Sequence, residues 1–281
     1  MTFKKIRFVT DSTCDIPADI IARYQIGVVP CYINFNNNSY ADDGKEISRD
    51  DYYRQLPSIR PAATTSAMPP GVAEEVIMAA AEEADHVIVI TVSSKLSGVY
   101  NAMKLGAGKL PEDRYTMVDS ESLSMGMGWQ IIYGAETAEK TGDVQQVLEI
   151  MERVRQKSML FAGLQTLEYL HRSGRVSWAA AGIGALLQIK PIVGVTRGEV
   201  KNITRVRTFS KAIDELVRVA HEYAPLERLA VLYTNDESGA QDLKERLKDI
   251  APAETIVCSI TPTIGTHIGP GGLGIVPVSK L

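Results

Sequence analysis

Short apolar runs alternate with amphipathic stretches along most of the chain. IRFVTDS (6–12) reads as a buried strand ending in polar residues. PADIIARYQ (17–25) has helical spacing, with Asp15 placed to cap it and Pro17 in its first turn. GVVPCYINF (27–35) reads as a second strand, and NNNSYADDG (36–44) as hairpin turn chemistry. SRDDYYRQL (48–56) predicts a helix capped by Ser48, and the Thr/Ser-headed loop at 65–66 runs into a helix that reaches residue 84. HVIVITVS (86–93) is the clearest strand pattern. A helix headed by Ser97 (97–110), a strand (115–120), a glycine-containing helix (121–142) and a helix (144–157) follow. Beyond these come the run MLFAGL (159–164), the basic loop HRSGR (171–175) and a small-residue helix around 178–188. Strands at 189–195 and 202–209 flank a turn at Gly198. The pattern ends with a helix (210–222), a strand (228–234), a helix (238–250) and ETIVCSI (254–260).

Strands alternating with helices predict an α/β fold. The regular part, residues 1–160, is expected to form a first domain with a mostly parallel sheet. Residues 161–281 are expected to form a second, smaller α/β domain with a mixed sheet. In open α/β sheets ligands bind beyond the carboxyl ends of the strands. Three polar loops fall at such ends: Asp11-Ser12-Thr13, Ser93 to Ser97, and Asp119-Ser120.

Composition narrows the function classes. Of 281 residues, 45% are apolar and 23% charged, as in ordinary globular proteins, and the net charge of −4 argues against a nucleic-acid binder. Three cysteines without a CxxC pair predict neither a disulfide framework nor a cysteine zinc site. The opening MTFKKIRFVTDS shows no apolar signal core. The most apolar stretch, 176–195, is interrupted by Gln188, Lys190 and Pro191, too soon to span a bilayer. A cytoplasmic protein without an integral membrane segment is the expectation.

The chemistry motifs are few. Gly269–Gly274 spells GxGxxG, but only IVPVSKL follows it, so the helix that would meet a pyrophosphate is absent; a turn into a final strand fits better. There is no P-loop, GxSxG elbow or HExxH, and His86, His171, His221 and His267 lack metal-ligand spacing. Ser66, Ser94 and Ser97 fit helix caps, and the same geometry attracts an anion. Asp11 ends the first strand like the nucleophile of an aspartyl-phosphate phosphatase. Thr13 stands where the usual second acid would be, so a magnesium-dependent phosphatase or phosphotransferase using Asp11 is the alternative reading. No metal site and no cofactor are expected. Arg172, Arg175, Arg205 and Arg207 are either a solvated face or a docking surface for an acidic partner.

Several ordered segments together resemble the DegV family: FVTDSTCDIP, TSAMPP, VSSKLSGVYNA, VDSESLSMGMG, LEYLHRSGRVS with LLQIKPIVGV, RVRTFSKAI, and the closing HIGPGGLGI. The resemblance covers nearly the whole chain. It implies two α/β domains with a long-chain fatty acid at their interface, the lipid-binding residues reaching into 161–281. It implies that hydroxyls of the TS and SSKLSG loops and the last-motif histidine hold the carboxylate: here Thr65 and Ser66, Ser94 or Ser97, and His267. It further implies a lipid-binding protein rather than an enzyme, similar to the non-catalytic subunit of bacterial fatty acid kinase. Such a subunit serves phospholipid metabolism by presenting the carboxylate to an ATP-binding partner that makes acyl phosphate, and the four arginines are the expected docking face. The sequence departs from the family pattern at Ala67, Met68 and Pro69, at Lys95 and Val99, and at Ile268 and Gly272. The apolar run 178–187 and the helix with Met125 and Met127 are candidate tunnel walls.

Overall fold

The computed structural model describes residues 5–176 and 189–281; the expected helix around 178–188 and the candidate wall at 178–187 lie outside them. A parallel four-stranded sheet is built from β1 (Ile6–Asp11), β2 (Gly27–Val29), β6 (His86–Thr91) and β7 (Tyr115–Asp119), in the order β2-β1-β6-β7. A small antiparallel sheet, β4-β3-β5, uses β3 (Tyr32–Phe35), β4 (Asn38–Ala41) and β5 (Thr64–Ser66). The third sheet is mixed and has six strands: β8 (Leu160–Gly163), β9 (Lys190–Thr196), β10 (Glu199–Val206), β11 (Leu226–Tyr233), β12 (Ile256–Ser259) and β13 (Leu273–Ser279), in the order β10-β9-β8-β13-β11-β12. The fold is therefore α/β with a parallel and a separate mixed sheet, although the mixed sheet is the larger of the two.

Ten α-helices are described: α1 (Ala18–Tyr24), α2 (Arg49–Gln55), α3 (Pro70–Glu82), α4 (Val99–Ala107), α5 (Met125–Thr141), α6 (Val144–Lys157), α7 (Glu168–Ser173), α8 (Phe209–Glu222), α9 (Glu237–Arg246) and α10 (Pro262–Ile268). Strand alternation decides which helices cover which face. Val9, Val87 and Val89 face α3 and α4, in a cluster with Ala73, Ile77, Val99 and Met103. Phe8, Ile88 and Ile90 point the other way, into a cluster with Met127, Trp129 and Ile131 of α5 and Val147 and Met151 of α6. The same cluster contains Leu160, Val193, Leu232 and Val276 of the mixed sheet. Phe161, Ile192, Val231 and Ile275, one residue out of phase, pack under α8 and α9. The layers run α3/α4, parallel sheet, α5/α6, mixed sheet, α8/α9. One helical pair thus serves as core for both sheets.

Several expectations are corrected. The run 27–35 is two strands in two sheets, because Pro30 has no N–H to continue a ladder. Thr64–Ser66 is a strand paired to β3 rather than a loop. Asp15 does not cap α1: it takes a left-handed conformation (φ 51°), and its carboxylate turns inward to Ser124 Oγ (2.6 Å) and the Thr261 amide (2.8 Å). The segment before the glycine motif is a helix, α10, and the basic HRSGR segment begins inside α7.

Trp129 sits fully buried between the two large sheets, and its indole N–H donates to Val276 O at 3.1 Å. Trp129→Ala should remove about 3–5 kcal/mol of stability, measured as a lowered urea midpoint. A loss under about 1 kcal/mol would contradict the shared-core description.

Candidate functional site

The strand ends of the parallel sheet are braced to each other. Asp11 at the end of β1 is fully buried; its carboxylate accepts the Thr13 amide (3.0 Å) and hydroxyl, and the Val92 amide (2.8 Å). Burial raises its pKa. Both oxygens are committed to the backbone and neighbouring side chain, so the phosphatase reading has no exposed nucleophile. Among the described residues no group of three or more His, Cys, Asp or Glu side chains is placed to hold a metal ion.

Above these braced loops, between the parallel and mixed sheets, lies an apolar cavity of about 170 Å³. Leu160 and Ala162 of β8, Val193 and Val195 of β9 and Leu232 of β11 form one wall, two residues apart along their strands. Val92, Leu96, Leu123 and Cys31 close the opposite side, and Ile264 and Ile268 of α10 a third. Met125 and Met127 are fully buried core residues outside this lining.

Four of the expected site residues meet in the cavity wall: Thr65, Ser66, Ser97 and His267. They come from three elements. Pairing of Thr65 with Ile33 places β5 beside the cavity, and the Thr65 hydroxyl lies 2.8 Å from His267 Nε2. Ser66 Oγ also accepts from Asn34 Nδ2 at 3.3 Å. Ser97 lies just before α4, accepts the Val99 amide (3.3 Å), and with Gly98 turns that helix start towards the cavity. His267 occupies the last turn of α10 rather than the glycine turn; Gly269 (φ 80°) and Gly271 (φ 72°) then reverse the chain into β13. Ser94 is not part of this group. It lies outside the lining, and its hydroxyl and amide bind the Asp119 carboxylate on the outer side of the loop. Lys95 likewise points away, donating to Arg197 O at 2.9 Å.

The four arginines separate. Arg175 is exposed yet belongs to the cavity lining, which puts it at the mouth. Arg172 pairs with Glu168 and lies over the Tyr169 ring. Arg205 bonds Asn202 Oδ1 (3.0 Å), and Arg205 and Arg207 are exposed at the β10 end of the mixed sheet. Sequence reasoning missed two features. One is the role of Arg175 in the lining. The other is α10 itself, for which Thr261-Pro262 was the available signal, proline being favoured at the first helical position.

Two large sheets sharing a helical layer, with an apolar cavity whose wall carries clustered hydroxyls and an imidazole, define an α/β protein built around an interior pocket. The chain belongs to the DegV family: the family model described as "Uncharacterised protein, DegV family" matches residues 5–280. A DegV domain-containing protein of Streptomyces coelicolor is 32% identical, covering 99% of both chains. Among solved structures, one titled for fatty acid binding of a DegV family protein from Thermus thermophilus is 32% identical, with a TM-score of 0.90, and covers 98% of this chain and 100% of that one. The structure of DegV, a fatty acid binding protein from Bacillus subtilis, is 27% identical, with a TM-score of 0.85, covering 99% and 100%. No helix among the described residues is long and apolar enough to cross a membrane.

Burial, with the Arg175 guanidinium nearby, pulls the His267 imidazole down to about 4. The ring is therefore neutral at pH 7 and keeps one N–H and one lone pair, so it can exchange donor and acceptor roles with Thr65. Between about 6.5 and about 4 the unfolded chain binds this proton and the folded chain does not, so acidification removes stability across that window. Relative to His267→Gln, the lipid-free parent should lose stability as pH falls from about 6.5 to about 4, read from urea unfolding at each pH. An unchanged difference between the two proteins would contradict the depressed imidazole.

Proposed function

We propose that this protein binds a long-chain fatty acid, its tail in the cavity between the sheets and its carboxylate against Thr65, Ser66, Ser97 and His267. The observation that carries the reading is the convergence of these side chains, from three separate elements, on one largely apolar cavity. The fatty acids named for relatives of the same fold support it. A tail of about fourteen methylenes gains roughly 11 kcal/mol gross on leaving water. Immobilisation takes back several kcal/mol, which leaves sub-micromolar affinity within reach. An unpartnered carboxylate would cancel much of that gain. The hydroxyls, the start of α4 and the imidazole N–H are donors for it, and Arg175 adds a positive charge at the mouth.

The protein acts, in this reading, as a carrier rather than an enzyme. It presents the carboxylate to an ATP-binding fatty acid kinase subunit, which forms acyl phosphate, and it works in the cytoplasm. Residues 161–281 supply His267 and all of the mixed-sheet wall except Leu160, and residues 1–160 supply the hydroxyls. In the same reading Arg172 on α7 and Arg205 and Arg207 at the β10 edge are docking residues for the partner, and Arg175 stands at the cavity mouth.

Native mass spectrometry of the purified protein should show one fatty acid per chain; a chain that stays empty when offered palmitate would sink the reading. His267→Ala should weaken palmitate binding by about tenfold, and Thr65→Val should act in the same direction. Charge reversal at Arg172, Arg205 and Arg207 should lower acyl-phosphate formation with the kinase subunit by at least about fivefold while leaving palmitate binding within about twofold. If it spares both, the docking face is elsewhere.

A further inference from the structure

The helix that carries His267 has little intrinsic reason to be helical. α10 is seven residues, PTIGTHI, shorter than any helix stable alone, and its two threonines and glycine are poor helix formers. The residue at its N-cap, Thr261, makes no side-chain cap bond of its own. A carboxylate from another sheet takes that place. Asp42, just after β4, is buried; one of its oxygens accepts the Thr261 hydroxyl, the Thr263 amide (3.1 Å) and, at 3.5 Å, the Ser12 hydroxyl. Burial raises its pKa, and in its ionised form the carboxylate complements the positive end of the helix dipole. The Asp42 amide donates to Cys31 O at 2.8 Å, so the hairpin fixes where the carboxylate sits. Asp15 and Arg49 complete the group, Asp15 accepting the Thr261 amide and Arg49 donating to Ser259 O. His267 lies six residues beyond Thr261, about 9 Å along the axis.

We propose that Asp42 is a positioning residue for His267, setting the place of the imidazole in the ligand cavity through the N-terminus of α10. The proposal rests on the reading that His267 holds the fatty-acid carboxylate. Asp42 lies outside the cavity lining and its carboxylate bonds the start of α10 directly, so the part of its effect carried by the helix must depend on the imidazole being there.

A double-mutant cycle tests this with palmitate and an intrinsically fluorescent long-chain fatty acid as probes. Asp42→Asn should weaken binding roughly fivefold in the parent and less than about twofold in His267→Ala. By NMR, Asp42→Asn should also shift the His267 ring resonances at pH 7, as the seat of α10 changes. Equal losses in the two backgrounds, or parent-like binding by Asp42→Asn, would overturn the proposal while leaving the role of His267 intact. If His267→Ala alone leaves binding unchanged, the headgroup reading fails first and this proposal with it. Should Asp42→Asn not fold, Thr261→Val removes one donor to the carboxylate and is judged by the same cycle, with the same sign and a smaller effect.

Discussion

The cavity depends on the seating of one short helix against one small sheet. α10 is held along its length by the hairpin and the helix that follows it. Tyr53 Oη donates to Ile260 O at 2.9 Å, and Tyr52 Oη pairs with Thr266 Oγ at 2.6 Å. Both tyrosines are fully buried, with Ile33 and Phe35 behind them. A Cβ at position 265 would collide with the Tyr53 ring, so glycine there is a requirement of the close approach rather than of the turn. The same small sheet carries Thr65 on β5. The two halves of the Thr65–His267 contact therefore belong to one packed unit, although 202 residues separate them in sequence.

That unit sits where the layering stops. α5 and α6 fill the space between the two large sheets up to the start of α5, where the Ser124 amide donates to Thr13 O at 2.8 Å and the polar loops take over. There the mixed sheet faces loops and α10 instead of a long helix. Ala162 and its neighbours on β8 and β9 then look into open volume. An interior of two sheets sharing one core is close-packed wherever helix covers strand. A cavity of this size persists only where irregular segments replace a layer and are pinned by their own polar bonds. The Asp11 brace does this from one side: it joins the loops after β1 and β6, where Thr13 and Val92 line the cavity.

Much of this was legible before the fold was known. The apolar strand runs at 6–12 and 86–93 and the amphipathic stretch at 144–157 map onto elements within a residue or two. Thr65, Ser97 and His267 stand out as a set only through the resemblance to the DegV family; taken singly, the serines also fit helix caps. Ser94 was indistinguishable from Ser97 at that level, because both precede α4; only the position of Asp119 on the adjacent strand decides that Ser94 turns outward. α10 was hidden because its helicity comes from tertiary partners, not from its own sequence. Arg175 was read with its basic neighbours because charge alone does not say which side of a mouth a guanidinium lies on.

The electrostatics of the cavity favour a ligand that brings its own charge. A protonated imidazole in an apolar enclosure would carry a desolvation cost with or without ligand. His267 avoids this by staying neutral at pH 7, and its contact with Thr65 remains satisfied when the cavity is empty. The permanent positive charge, Arg175, is kept at the exposed mouth, where water solvates it. In the proposed complex the carboxylate lies against neutral donors with a cation at the rim, so most of its binding comes from hydrogen bonds already aimed and from the apolar wall. A ligand with a neutral head would forgo the rim charge, and a cation would be repelled by it; in that reading the wall's polarity favours an anionic amphiphile before any contact with its tail is counted.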